Sequence, residues 1–140
     1  MFDKNIKVSH LQKSSKNTMV EHLGMEFLDI GENFITAKMP VDHRTLQPMG
    51  LLHGGASLAL AETLGSVASS MLLDMNKFYC VGLEINANHI KSARNGFVIG
   101  KATPIHLGKK THVWDIKITN ENEELICVSR LTVAVIEKKK

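Results

Sequence analysis

The chain has 140 residues, 44% of them apolar and 22% charged; these values lie close to the globular average and exclude disorder and collagen-like structure. One domain of this length buries roughly two-thirds of its unfolded surface, enough for a core without disulfide or metal staples. The net charge is +3, of which the tail Glu137-Lys138-Lys139-Lys140 supplies +2, and a body so nearly neutral is no general nucleic-acid binder.

Cys80 and Cys127 lie far apart and form no CxxC pair, which argues against a disulfide scaffold or zinc ribbon and suits a reducing cytoplasm. The first 17 residues carry charges throughout and have no apolar h-region, unlike a secretory signal. The longest uncharged run, Thr45 to Ala61, falls short of the ~20 apolar residues that a spanning helix needs. A single cytoplasmic domain over 1–140 is expected, with no membrane contact.

In chain order, residues about 8–19 suit a short amphipathic helix. Gly24–Ile30 and Phe34–Met39 read as strands joined by the turn Gly31-Glu32-Asn33. A loop follows from Pro40 to His53. From Gly54 to Asp74, eleven of 21 residues are Gly, Ala or Ser, and only Glu62 and Asp74 are charged. Such a segment predicts a helix about 30 Å long, buried on all sides because it has no polar face. The period then changes to two. Strands are expected over 79–89, over 96–107 with Pro104 at a bend or edge, over 112–118, and over 125–136 after the polar turn 120–124. The order predicts an α+β domain in which a curved antiparallel sheet, its last four strands in meander-like succession, wraps one long buried helix. Unpaired edge strands point to dimerisation through an edge.

Glu62 stands out. A carboxylate inside an uncharged helix costs several kcal/mol to desolvate unless it is paired or reaches water, and nothing on this helix can pair with it. Ser66, four residues on, shares its face and can donate to it. Leu52-His53-Gly54-Gly55 offers backbone N–H groups at the helix start, where they and the helix dipole stabilise an oxyanion; a plain glycine-rich helix start would look the same. Gly54 and Glu62 are separated by about 12 Å of helix rise, too far to touch one reacting carbonyl, so a site using both draws them from two subunits or two helices.

Ile85 to Trp114 holds Lys91, Arg94, Lys101, Lys109 and Lys110 and no acid. Such an excess attracts anions, although a solvated sheet face would also look like this. His10, His22 and His43 read as surface residues. No histidines have HxH or HxxxH spacing and no cysteine neighbours one, so no metal site is expected. There is also no G-x-S-x-G elbow of a serine hydrolase.

Gln47-Pro48-Met49-Gly50-Leu51-Leu52-His53-Gly54-Gly55, then Glu62 and Ser66, then Val81-Gly82-Leu83-Glu84-Ile85-Asn86-Ala87-Asn88-His89 and Ser129-Arg130-Leu131-Thr132 closely resemble the hotdog-fold acyl-CoA thioesterases. The nearest branch is that of the 1,4-dihydroxy-2-naphthoyl-CoA and 4-hydroxybenzoyl-CoA thioesterases, and the similarity runs from about Met25 to Ile136. The resemblance implies a hotdog fold and hydrolysis of an aromatic, hydroxy-aryl acyl-CoA to free acid and coenzyme A, which is substrate and not cofactor. It makes Glu62 the nucleophile or general base and Gly54 the oxyanion donor. Gln47 would orient the acyl group or water, His53 would support the loop, and Ser66 would hold the carboxylate. Gly82, the turn His89-Ile90-Lys91-Ser92 with Arg94, and the turn His106-Leu107-Gly108-Lys109-Lys110-Thr111 would bind substrate and coenzyme A. A homo-oligomer, dimer or dimer of dimers, with the site at the dimer interface is implied too. Met49 departs from the aromatic residue expected there and bears on the acyl group. The competing readings are a hotdog dehydratase using His53 and Glu62, a non-catalytic acyl-CoA-binding domain, and a thioesterase acting on an acyl or aryl carrier protein.

Overall fold

The computed structural model describes residues 1–139. The expected N-terminal helix is two pieces, α1 (Val8–Ser14) and α2 (Met19–His22). The Ser14 and Ser15 hydroxyls both donate back to the Leu11 carbonyl, and Asn17 turns left-handed at φ 60°. That combination stops a helix.

Strands β1 (Glu26–Ile30) and β2 (Ile35–Pro40) form the expected hairpin, closed by the Gly31 N–H donating to the Phe34 carbonyl at 2.9 Å. Helix α3 (Gly54–Ser70) follows, then β3 (Phe78–His89), β4 (Phe97–Leu107), β5 (Thr111–Asn120) and β6 (Leu125–Glu137). Helix α3 ends one turn before Asp74, because the chain tightens at Leu72 and Leu73, whose N–H groups donate to the Ser69 and Ser70 carbonyls.

All six strands join one antiparallel sheet in the order β1-β2-β4-β5-β6-β3. The meander expectation is therefore corrected at one strand. Only β4, β5 and β6 succeed one another in space, whereas β3 pairs with β6, Phe78 opposite Glu137 and His89 opposite Cys127. Its other edge has no strand beside it among the described residues. At the opposite margin, the Gln12 side chain of α1 lies along β1, donating to the Met25 carbonyl at 3.1 Å and accepting from the Phe27 N–H at 3.0 Å.

The sheet curls over α3, and their shared surface is the core: Leu60 and Leu64 from the helix, Met39, Val98, Trp114, Ile116, Leu131 and Val133 from the strands. Each such side chain contributes roughly 1.5–3 kcal/mol by leaving water. Gly65 permits the close approach, since a Cβ there would lie 2.6 Å from Leu131 Cδ2. The expectation of burial all round does not hold. Ala56, Ser57, Leu60, Ala61, Leu64, Gly65, Ala68 and Ser69 are buried, while Gly55, Leu58, Ala59, Glu62, Thr63, Ser66 and Val67 line an open groove of about 580 Å³. A sheet covers one side of a helix, and the other side needs a different cover.

Candidate active site

His53 begins the site by capping α3. Its Nδ1 accepts from the Gly55 N–H at 2.8 Å, and its backbone is extended at φ −66° and ψ 129°, the geometry of a good N-cap. This cap occupies the Gly55 donor but not that of Gly54, whose N–H has no partner among the described residues. The loop before it is tied down. The Leu52 N–H donates to the Ala93 carbonyl, the His53 N–H to the Thr45 carbonyl, and Arg44 clamps Asp42 through Nη2 at 2.7 Å. That side-chain hydrogen bond holds the Asp42 carboxyl down at about 2.

Gln47, Gly54, Ser57, His89, Ile90, Lys91 and Ser92 border one cleft of about 230 Å³. The His89 ring sits so close over Gly54 that a Cβ there would come within 2.8 Å of Nε2. The Gln47 amide oxygen accepts from the Met49 N–H, which orients its side chain within the loop.

Glu62 lies elsewhere, in the groove on the open face of α3 with Ser66, Met19, Val20, Met25 and Ile85. Its Oε1 covers Gly82 of β3, so that a Cβ at Gly82 would collide with it. No ion pair or hydrogen bond engages the carboxylate among the described residues, and none joins it to Ser66. The exposed face resolves the desolvation problem that the sequence posed: in a single copy, this carboxylate reaches water.

The third group is at the far end of the sheet. Leu107, Gly108, Lys109 and Lys110 border a groove of about 860 Å³ with Leu72, Leu73, Phe78, His112 and Val135, and His106 and Thr111 flank the same turn. Residues 89–92 and 106–111 thus sit at opposite ends of β4, about 30 Å apart at the rise of a strand. One chain brings together neither these two turns nor Gly54 and Glu62.

The basic stretch divides as well. Lys91 is paired with Glu124, and this contact holds the glutamate below its usual range. Lys101 lies 4.2 Å over the Phe34 ring. Arg94, Lys109 and Lys110 have no ion pair among the described residues. His10, His22 and His43 are exposed, as expected. A buried cluster was not foreseen: the Ser69 Oγ accepts from Trp114 Nε1–H at 2.8 Å and lies 3.1 Å from His112 Nδ1. The alternation of His112 with Trp114 and Ile116 pointed inward, but nothing local named a partner 43 residues away. The described residues contain no group of three or more His, Cys, Asp or Glu side chains able to hold a metal.

A thioesterase superfamily model matches residues 49–127, the stretch carrying the helix start, Glu62, Gly82 and the turns just described. The chain belongs to the thioesterase superfamily. It is 46% identical over 136 residues to a 1,4-dihydroxy-2-naphthoyl-CoA hydrolase of Escherichia coli, covering 97% of this chain and 99% of that one. It is 44% identical to the proofreading thioesterase EntH of Cronobacter turicensis, covering 97% and 98% of the two chains. Among solved structures, a thioesterase of Haemophilus influenzae superposes with a TM-score of 0.93 at 50% identity, covering 97% and 94%. A mutant thioesterase of Pseudomonas aeruginosa gives 0.96 at 46% identity, covering 98% and 99%. This thioesterase has the hotdog fold and is a thioester hydrolase. No helix among its described residues is long and apolar enough to cross a membrane.

Proposed function

We propose that this thioesterase hydrolyses aromatic, hydroxyl-bearing acyl-CoA thioesters at a site shared by two copies of the chain. The observation that carries the reading is the separation of its parts. Glu62 and the free Gly54 N–H lie about 12 Å apart along one rigid helix, in two different hollows. A two-fold axis near Leu58, with the β3 edges paired antiparallel, would set Gly54 of one copy opposite Glu62 of the other. The same axis would bring residues 106–111 of one copy toward residues 89–92 of the second. Exposed Tyr79, Val81 and Leu83 on β3 supply apolar contact for such a pairing.

In that site the thioester carbonyl oxygen accepts the Gly54 N–H, and negative charge grows there as the carbon becomes tetrahedral. Glu62 either takes a proton from the attacking water or attacks directly. In the first case hydroxide adds to the carbonyl carbon, and collapse expels the thiolate of coenzyme A. In the second, attack expels the thiolate and leaves a mixed anhydride that water cleaves. Gln47 holds the acyl group or water, and Ser66 turns to the carboxylate once the groove closes. Arg94, Lys109 and Lys110 meet the phosphates. The aromatic preference is supported by the naphthoyl-CoA relative, and the two free thiols suit a cytoplasmic enzyme.

The test is a panel of aromatic and aliphatic acyl-CoAs with released thiol measured. Hydroxy-aryl thioesters should show the highest kcat/KM. Higher values for aliphatic chains would overturn the aryl assignment. Release only from thioesters on a carrier protein would replace coenzyme A as the donor.

A further inference from the structure

The geometry points to His112 as a positioning residue that locks the 106–111 turn to the C-terminal end of α3 and so sets the direction of Lys109 and Lys110. His112 is 5% exposed and Ser69 and Trp114 are fully buried, so each polar hydrogen among them needs an acceptor. The indole N–H donates to Ser69 Oγ. The Ser69 hydroxyl then has one acceptor among the described hydrogen bonds, the His112 Nδ1. This assigns the neutral tautomer with its hydrogen on Nε2. His112 borders the same groove as Leu107, Gly108, Lys109 and Lys110, and its backbone directly follows Thr111, the last residue of the turn.

Burial holds the imidazole below its ordinary 6.5, the charge of nearby His106 acts the same way, and the Gly108 carbonyl opposes both. The neutral ring therefore persists at neutral pH. The turn itself is short: the Gly108 N–H donates to the Thr111 carbonyl at 2.8 Å, and the Val135 N–H to the Lys110 carbonyl at 2.9 Å. Both lysines project from it into solvent. Hydrogen bonds thus run from the indole through serine to the imidazole, and the peptide link from His112 to Thr111 ties this buried helix end to the solvated turn.

The kinetic consequence rests on the proposal that Lys109 and Lys110 meet the phosphates of coenzyme A, whereas the structural consequence does not. His112→Leu removes the hydrogen bond to Ser69, and His112→Gln restores it, since an amide oxygen can accept from the Ser69 hydroxyl. Hydrogen exchange of the intact protein is the first readout. In His112→Leu the Gly108 and Val135 amides should exchange at least roughly tenfold faster, while amides around Ile118 stay as in wild type; His112→Gln should return both to wild-type rates. The second readout is KM for an acyl-CoA against the same acyl group on a truncated pantetheine thioester. His112→Leu should raise the first roughly three- to tenfold, with kcat unchanged and the second unaffected.

Unchanged exchange in His112→Leu, or failure of the glutamine to restore it, overturns the inference. Should the leucine variant not fold, His112→Phe, which keeps a ring and offers no acceptor to Ser69, replaces it in the same comparison with His112→Gln. If Lys109→Ala/Lys110→Ala leaves KM unchanged on both substrates while His112→Leu still loosens the turn, the phosphate reading fails and the anchor stands.

Discussion

Along α3, Ala56, Leu60, Leu64 and Ala68 are buried by the chain's own sheet, while Leu58, Ala59, Glu62 and Val67 are left facing an open groove. The two faces share small and aliphatic residues, and Glu62 is the one charge on the helix. Apolar composition therefore shows that a helix will be covered, but not by what. The covered face holds the monomer together. The open face carries a carboxylate that a monomer would gain nothing from placing there.

If that division is right, Glu62→Gln should leave the melting temperature near wild type and lower turnover by ~10²–10⁴-fold, the range of a lost general base. A variant keeping more than about a tenth of the activity would move the chemistry away from this face. Leu64→Ala tests the other face. It should cost about 2–5 kcal/mol of stability in a denaturant titration, with kcat of the folded enzyme little changed. Gly54→Pro removes the unpartnered N–H at a position where proline suits both the helix start and the extended residue before it. Its barrier should rise by about 2.7–4 kcal/mol. Gly54→Ala, which keeps the N–H but crowds His89, serves as the reference; equal loss in both would mean that the side chain, not the donor, was responsible.

The smallest effect concerns the inner face and pH. Because the folded-state pKa of His112 is lowered, the unfolded chain binds the extra proton first on acidification. The stability that neutral His112 contributes is full above about pH 6.5 and is lost as the pH falls below it. Thermal melts between about pH 7 and 5.5 should therefore show a steeper decline for wild type than for His112→Gln. Parallel declines would show that the ring is not held neutral.

What could be read from the residues alone follows the range of each interaction. Strands showed through their period and Glu62 through its isolation, and the helix rise between Gly54 and Glu62 already called for two subunits or two helices. Partnership between distant segments did not show. Alternation identifies β3 as a strand but cannot say that β6 rather than β4 will flank it. Nor does local sequence pair Lys91 with Glu124, 33 residues on. The N-terminal helix is shorter than its apolar spacing predicts, because serine hydroxyls and a left-handed asparagine stop it.

The Gln12 side chain has a consequence for how the molecule can associate. By taking up the Met25 carbonyl and the Phe27 N–H, it occupies the start of the outer margin of β1 as a short mock strand would, and leaves β3 as the only long margin open to addition among the described residues. A ribbon that can be extended at both margins can propagate into a fibre, whereas one stoppered at one side can accept a single neighbour. If that neighbour is an identical chain related by two-fold symmetry, both open margins are used up in the same contact and nothing further can add along the sheet. One glutamine from a short helix thus acts as a terminator at its margin of the sheet, and were β3 to pair with an identical chain, addition along the sheet would stop at two.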